Sequence, residues 1–322
     1  KLLFVLACAL LCVCMLLFSR VQNLLQLTLV NFAGGIATGA GYGLVSILGG
    51  LLAGKAERGK VFGILTLAMN ASLLVGGVAY GPIADRWGFP TLFLVSAVIG
   101  GACLISGLFL SDVKVPKIAH MRTLPGTGRA LFGSNFILLL GATLFSSLAW
   151  LVGRLGLFMA MSQLGFAATA ISLSSAVGGL ISLPAPLVLG WLSDRIGRRR
   201  LILVCYLAGL ASLPVLAWAR SIGSFWCASA LVSVLYTSTA LASALVTDIA
   251  PRESLDLGLS WLWGVTNFGT VLGSPATGLG LQYLGQRNAF LVAMLAPLAA
   301  IALLLHVHER TDRNANKVTA AS

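Results

Sequence analysis

The sequence predicts an all-α polytopic membrane protein. Three observations carry that class. Of 322 residues, 58% are hydrophobic and 9% are charged, whereas soluble domains carry about 25% charged residues. Mean hydropathy is +0.97. Apolar segments of about 20 residues, long enough to cross a bilayer as a helix, recur along the whole chain, and basic residues collect in alternate gaps between them. No water-facing fold could bury so much apolar chain, so lipid must be the solvent.

Ten segments qualify as spans: 2–19, 25–53, 61–84, 91–110, 134–161, 168–191, 200–218, 224–248, 258–283 and 287–306. Ser19-Arg20 ends the first. Gly54 to Lys60, with two lysines and an arginine, ends the second. Asp85 to Pro90 separates the third from the fourth, and the long polar stretch from Ser111 to Gly133 follows the fourth. Gln163 to Ala168, Gly190 to Arg200, Arg220 to Ser224, Asp248 to Asp256 and Gly285 to Arg287 divide the rest. The longer segments must tilt or project from the membrane.

Loop charge orients the spans. One set of loops carries Lys1; Lys55, Arg58 and Lys60; Lys114, Lys117, Arg122 and Arg129; Arg195, Arg198, Arg199 and Arg200; Arg252; and Arg310, Arg313 and Lys317. These are 16 of the 21 basic residues; the opposite loops hold Arg20, Arg86, Arg220 and Arg287, and Arg154 lies within a span. One miscounted helix would scramble that split. The 190–200 loop and the carboxyl tail are therefore expected in the cytoplasm, and the host membrane is expected to be the plasma membrane. The net charge of +12 does not indicate nucleic acid, because it is dispersed between apolar runs. The six cysteines, Cys8, Cys12, Cys14, Cys103, Cys205 and Cys227, all fall in apolar segments and read as packing residues. No metal site and no cofactor are expected.

Gly190-Trp-Leu-Ser-Asp194-Arg195-Ile-Gly197-Arg198-Arg199-Arg200 packs four arginines and an aspartate into seven residues between two apolar segments. Gly190 allows close helix approach. Asp194 is expected to meet free backbone N–H groups at the start of the next helix. Gly197 allows a turn where a Cβ would clash. The arginines are expected to pair with Asp194 or with lipid phosphate. The stretch reads G-x-L-x-D-R-x-G-R-[RK]-[RK] and resembles the signature loop of the major facilitator superfamily of secondary transporters.

An internal repeat with an offset of about 195 residues extends the resemblance. Lys1 corresponds to Arg200, Ala56-Glu57-Arg58 to Pro251-Arg252-Glu253, Gly81-Pro82 to Ser274-Pro275, Trp87-Gly88 to Leu284-Gly285, and Phe93 to Phe290. The resemblance implies two pseudo-symmetric helical bundles, with ten of twelve transmembrane helices present here. The expected domains are a four-helix remnant at 1–111, a cytoplasmic loop at 112–133, and a six-helix bundle with its tail at 134–322. By that parity two helices and a loop, on the order of 60 residues, precede Lys1; a signal peptide is the other reading of the first segment. Gly77-x-x-x-Gly81-Pro82 resembles the core of an antiporter motif of the fifth helix, although Ala68 and Asp85-Arg86 stand where the fuller pattern has glycines. These residues are the candidate helix hinge. Asn31-Phe-Ala-Gly-Gly35 resembles a second family motif, with Asn in place of Arg.

Five helices carry polar stripes at helical spacing: Asn31, Thr38, Tyr42 and Ser46; Thr66 and Asn70; Thr143, Ser147, Trp150 and Arg154; Ser229, Ser233, Tyr236 and Ser243; Trp263, Asn267, Thr270 and Ser274. Ser and Thr in such stripes serve either a cavity or helix–helix hydrogen bonding. The cavity candidates are Asn31, Asn70, Trp150, Arg154, Tyr236, Trp263 and Asn267. Arg154 is the one basic residue placed within hydrocarbon, either as a ligand group or snorkelling to the outer interface. No Asp or Glu falls inside a span, so a coupling proton would use a carboxylate upstream of Lys1, or Asp85 drawn inward. The resemblance implies a non-enzymatic, monomeric carrier that moves a small-molecule substrate by alternating access. Efflux of the drug/metabolite:proton antiport type is the first expectation. Import of an anionic metabolite as a symporter or uniporter, or a remnant that does not transport, are the alternatives.

Overall fold

The structure is a computed structural model that describes residues 1–52, 58–110, 132–249 and 254–307. Regular structure among the described residues is helical. The helices are α1 (Leu2–Phe18), α2 (Leu24–Leu52), α3 (Arg58–Leu108), α4 (Ser134–Gln163), α5 (Ala168–Ser182), α6 (Ala185–Ile196), α7 (Arg198–Trp218), α8 (Ile222–Ile249), α9 (Leu255–Ala293) and α10 (Leu295–Leu305).

Six stretches are long and apolar enough to cross a membrane, and two of these, 67–108 and 257–305, hold 42 and 49 residues. Each is about twice the length of one span. A single glycine divides each: Gly88 at φ 79°, ψ 166° in α3, and Gly285 at φ 72°, ψ 170° in α9. These are the two glycines that the repeat pairs, and they share one non-helical conformation that other residues rarely adopt. The gaps expected at 85–90 and 285–287 are thus one-residue breaks. With α1 and the α5–α6 pair counted as one span each, the described helices accommodate ten crossings.

The segment 168–191 is not one continuous helix. Pro184 and Pro186 lack the N–H groups a helix interior requires, and the chain breaks between Ser182 and Ala185. The 190–200 stretch also differs from a loop. Helix α6 continues to Ile196 and α7 starts at Arg198, with Gly197 at φ 100° as the sole break. Asp194 therefore lies in the last turn of α6, and the residue at the N-cap of α7 is Gly197. The side chain of Asp194 falls outside the described part, as do Gly190, Tyr42, Ser46, Thr66, most of the 112–133 loop, and the tail from residue 308 onward.

The chain forms two compact units. One comprises Lys1–Met121 with Ala167–Ala176; the other comprises Arg122–Phe166 with Val177–Ser322. The start of α5 thus groups with the first unit and the rest of α5 with the second. In the first unit, α1 runs antiparallel to the second arm of α3. Phe4 lies beside Gly107 and Cys12 beside Gly100, the Cys12 thiol donates to the Ala97 carbonyl at 3.3 Å, and Phe18 stacks on Phe93 at 5.2 Å. Phe93 thus packs the first unit, while its repeat partner Phe290 is fully buried in the second.

In the second unit α4 is the central rod, packed by α7, α8, α9 and α10. Phe136, Leu139, Ile202, Tyr206, Leu235, Leu245 and Leu304 fill its core. The cysteines are thiols; Cys14 and Cys205 are buried in packing positions, and Cys103 and Cys227 are exposed.

Candidate functional site

The stripe on α4 divides in two. Thr143 and Ser147 are buried and donate to the carbonyls one turn back, Thr143 to Leu139 at 2.8 Å and Ser147 to Thr143 at 2.7 Å. They belong to helix packing. Trp150 and Arg154, the next two positions on that stripe, are half-buried. One turn apart, they place the Arg154 guanidinium 5.4 Å from the centre of the Trp150 ring. From α8, Tyr236 stacks on the same indole with centroids 4.9 Å apart and planes 30° apart. Three of the seven cavity candidates therefore meet at one place in the second unit: two aromatic rings and a guanidinium on the facing sides of α4 and α8.

Other hydroxyls of the α8 stripe follow the packing pattern. Ser233 donates to the Ser229 carbonyl and Ser243 to the Thr239 carbonyl, while Ser229 and Ser233 press on Gly178 of α5. Trp263 and Asn267 lie on an exposed face of the first arm of α9, with Thr270 donating back to Asn267. In the first unit Asn31 is exposed on α2, and Asn70 is half-buried on α3. Asp248 lies in the last turn of α8 and Asp256 in the first turn of α9, and α4 and α7 carry no acid.

Two of the arginines after Gly197 reach the ends of other helices, and the expected pairing with Asp194 falls on a side chain outside the described part. Arg198 donates to the carbonyl of Ala244 and, at 3.3 Å, to the hydroxyl of Thr247 near the end of α8. Arg199 donates from Nε to the Leu304 carbonyl at 3.2 Å and from Nη2 to the Leu305 carbonyl. These are the last carbonyls of α10, that of Leu304 also accepting the Val307 N–H at 3.1 Å, and a cation favours the negative end of the helix dipole. Arg195 instead stacks on Trp191 at 4.0 Å, one turn back. The other end of α7 is also fastened. Gln286 donates to the carbonyls of Leu216 and Ala219 at 2.8 and 3.2 Å and accepts from Arg220 at 3.2 Å. Arg287 lies 5.2 Å over the Trp218 ring. Sequence reasoning missed this second clamp, whose only signal was an isolated Gln-Arg pair after Gly285.

Gly77, Gly81 and Pro82 are the expected hinge; the structure uses the glycines for contact. A Cβ on Gly77 would lie 2.4 Å from the Ala176 backbone nitrogen, and one on Gly81 would lie 2.4 Å from the Thr169 Cα. Four residues beyond Gly81, both oxygens of Asp85 accept backbone N–H groups at the start of α5, from Ala168 at 2.9 Å and Thr169 at 2.8 Å. Asp85 is thus an exposed cap for another helix, not a carboxylate drawn inward. Hydrogen bonds from the Thr169 side chain and backbone, with that of Ala168, hold its carboxyl below the usual range.

Comparison with known proteins agrees with this architecture. The sequence model described as Major Facilitator Superfamily matches residues 1–238 and 131–321. A gallate transporter of Pseudomonas putida is 30% identical over 182 residues, covering 52% of this chain and 40% of that protein. Multidrug resistance protein MdtG of Klebsiella pneumoniae is 25% identical over 223 residues, covering 65% and 52%. The class E tetracycline resistance protein of Escherichia coli is 27% identical over 135 residues, covering 42% and 33%. The chain spans about half or less of the length of these relatives. A crystal structure of a POT family transporter, in complex with a thioalcohol-conjugated peptide, superimposes with a TM-score of 0.73 over 94% of this chain and 80% of that one. At 14% identity it is similar in fold alone.

Proposed function

The chain belongs to the major facilitator superfamily, and we propose that its protein carries a small solute across the membrane by alternating access. It works as a multi-pass monomer in lipid and performs no covalent chemistry on its cargo. The observation that carries this reading is the meeting of Trp150, Arg154 and Tyr236 on α4 and α8. It is a polar and aromatic surface within apolar helices, a costly feature to keep without a ligand. Binding there, preferentially in one of two conformations, is what lets a solute bias the exchange between them.

Export, of the drug/metabolite:proton antiport type, is the first reading of direction. Two of the three relatives carry the names of resistance proteins, and the Gly77-x-x-x-Gly81-Pro82 motif fits that type. Import of an anionic metabolite is the second reading. Arg154 favours it, as does the relative named for gallate. We read the Gly190–Arg200 stretch and the carboxyl terminus as inside from the loop charges, with the plasma membrane as the proposed host membrane.

Accumulation of radiolabelled tetracycline and gallate in cells producing the full-length protein tests the reading. Accumulation below that of control cells marks export, and accumulation above it marks import. If membrane-inserted, folded protein changes neither, the carrier reading fails for both solute classes.

A further inference from the structure

We propose that Cys8 and Cys103 form a two-thiol site for a soft divalent cation of the mercury(II) type, on the seam between α1 and the second arm of α3. The proposal goes beyond the carrier reading and stands whether or not the protein moves a solute.

Register brings the two thiols together. Along the seam Phe4 lies beside Gly107, Cys12 beside Gly100 and Phe18 against Phe93. Because the helices are antiparallel, each step back along α1 is a step forward along α3. Cys8, one turn before Cys12, therefore comes opposite Cys103, about one turn beyond Gly100. The two also lie at one depth. Cys8 is as many residues from Lys1 as Cys103 is from Leu110, about 10 Å along a helix. They are near enough for the charge of one thiolate to act on the other.

Both sulfurs are available. Neither Cys8 nor Cys103 hydrogen-bonds to another described residue, whereas Cys12 donates to the Ala97 carbonyl and Cys205 pairs with Thr237. Cys8 is half-buried and Cys103 exposed, so the pair opens at the rim of the seam. The close approach at Gly100, where a Cβ would lie 3.6 Å from the Cys12 Cα, holds the two helices together beside it.

The chemistry selects the ion. Soft cations prefer thiolate sulfur. Each thiol gives its proton to water as its bond to the metal forms. Two thiolates and one divalent cation carry no net charge, and a neutral complex avoids the cost of placing charge in hydrocarbon. A monovalent cation would leave a negative charge there. Two sulfurs are the whole ligand set, because among the described residues no group of three or more His, Cys, Asp or Glu could hold a metal ion. Zinc takes four ligands in structural sites and is left short. Mercury(II) is satisfied by two sulfurs in line.

Full-length protein in detergent is loaded with mercuric chloride, washed with N-acetylcysteine and weighed by native mass spectrometry. One mercury per chain is expected to survive the wash, with two hydrogens displaced and no chloride retained. Cys8→Ala and Cys103→Ala should each lose the metal at a competitor concentration about a hundredfold lower, because no second sulfur then recaptures the ion within the chain. Cys227→Ala removes an exposed thiol of α8 and should leave retention unchanged. Zinc chloride should leave no metal on the washed protein. Size-exclusion profiles confirm folding and exclude bridging between chains. Cys103 is exposed, so its alanine variant removes little packing and decides the matter if Cys8→Ala fails to fold. Mercury held through one sulfur with chloride attached overturns the proposal. Unchanged retention in folded Cys103→Ala protein, or retention of zinc, does the same.

Discussion

Replacing Gly77 by alanine adds one methyl group where α3 meets the main chain of α5. In the structure that methyl carbon would stand 2.4 Å from the Ala176 backbone nitrogen and 2.8 Å from both the Ala176 Cα and the Ser172 carbonyl oxygen. Unstrained contacts between such atoms lie near 3.5–4.0 Å, so the helices must part by about 1 Å. All three atoms are main chain, and no rotamer change can relieve them. Overpacking of this kind costs about 1–3 kcal/mol. Gly101, on the other arm of α3, supplies the control, because nothing lies within 4 Å of a Cβ placed there. Alanine at that position should stabilise by about 0.5–1 kcal/mol through reduced backbone entropy. The same substitution in the same helix is thus expected to act with opposite sign, and the two variants should differ by about 1.5–4 kcal/mol. Unfolding of the detergent-solubilised full-length protein, followed by tryptophan fluorescence, measures the pair. Equal stability of the Gly77→Ala and Gly101→Ala proteins would refute the reasoning. Ser172→Ala should not rescue Gly77→Ala, since the Ser172 side chain is not the obstacle.

Two further expectations concern the basic end of α7. Arg199→Ala removes the donors to the Leu304 and Leu305 carbonyls and should destabilise the second unit by about 1.5–3 kcal/mol; Arg199→Lys should fall between that variant and the parent in the same unfolding assay, and an alanine variant of unchanged stability would show that water serves those carbonyls equally well. Topology is tested with single cysteines at Ile196 and Ser221 in a cysteine-free background, both exposed positions, whereas Ser193 is buried and would label poorly on either side. An impermeant maleimide should reach position 221 in intact cells and position 196 only after permeabilisation; labelling of 196 in intact cells would reverse the assigned orientation.

Much of the site is legible in the amino-acid sequence. Trp150 and Arg154 stand out because a large aromatic and a charge one turn apart are rare inside a span, and Tyr236 because it interrupts a run of small residues on α8. The repeat points to Gly88 and Gly285 as equivalents, and both adopt nearly the same left-handed conformation. The partners of the charged residues are not legible. Arg198 and Arg199 reach helix ends 46 to 106 residues away, and Asp85 caps a helix 83 residues downstream. A charged group names its needs in the sequence, but which backbone end answers them depends on where other helices terminate.

By itself the sequence determined the class, most of the apolar segments and the turn at Gly197, because each rests on local chemistry. Length and apolarity decide whether a helix crosses lipid, and a residue without a Cβ decides where the chain can leave the helix. Only the tertiary structure decided which members of a polar stripe matter. Thr143, Ser147, Trp150 and Arg154 share one face of α4 in sequence, yet the first two are buried and bonded to their own backbone while the last two meet Tyr236. The physical reason is the solvent. Lipid is as apolar as the protein interior, so an embedded helix need not show which of its faces is buried and which meets lipid. That choice is made by the neighbouring helices.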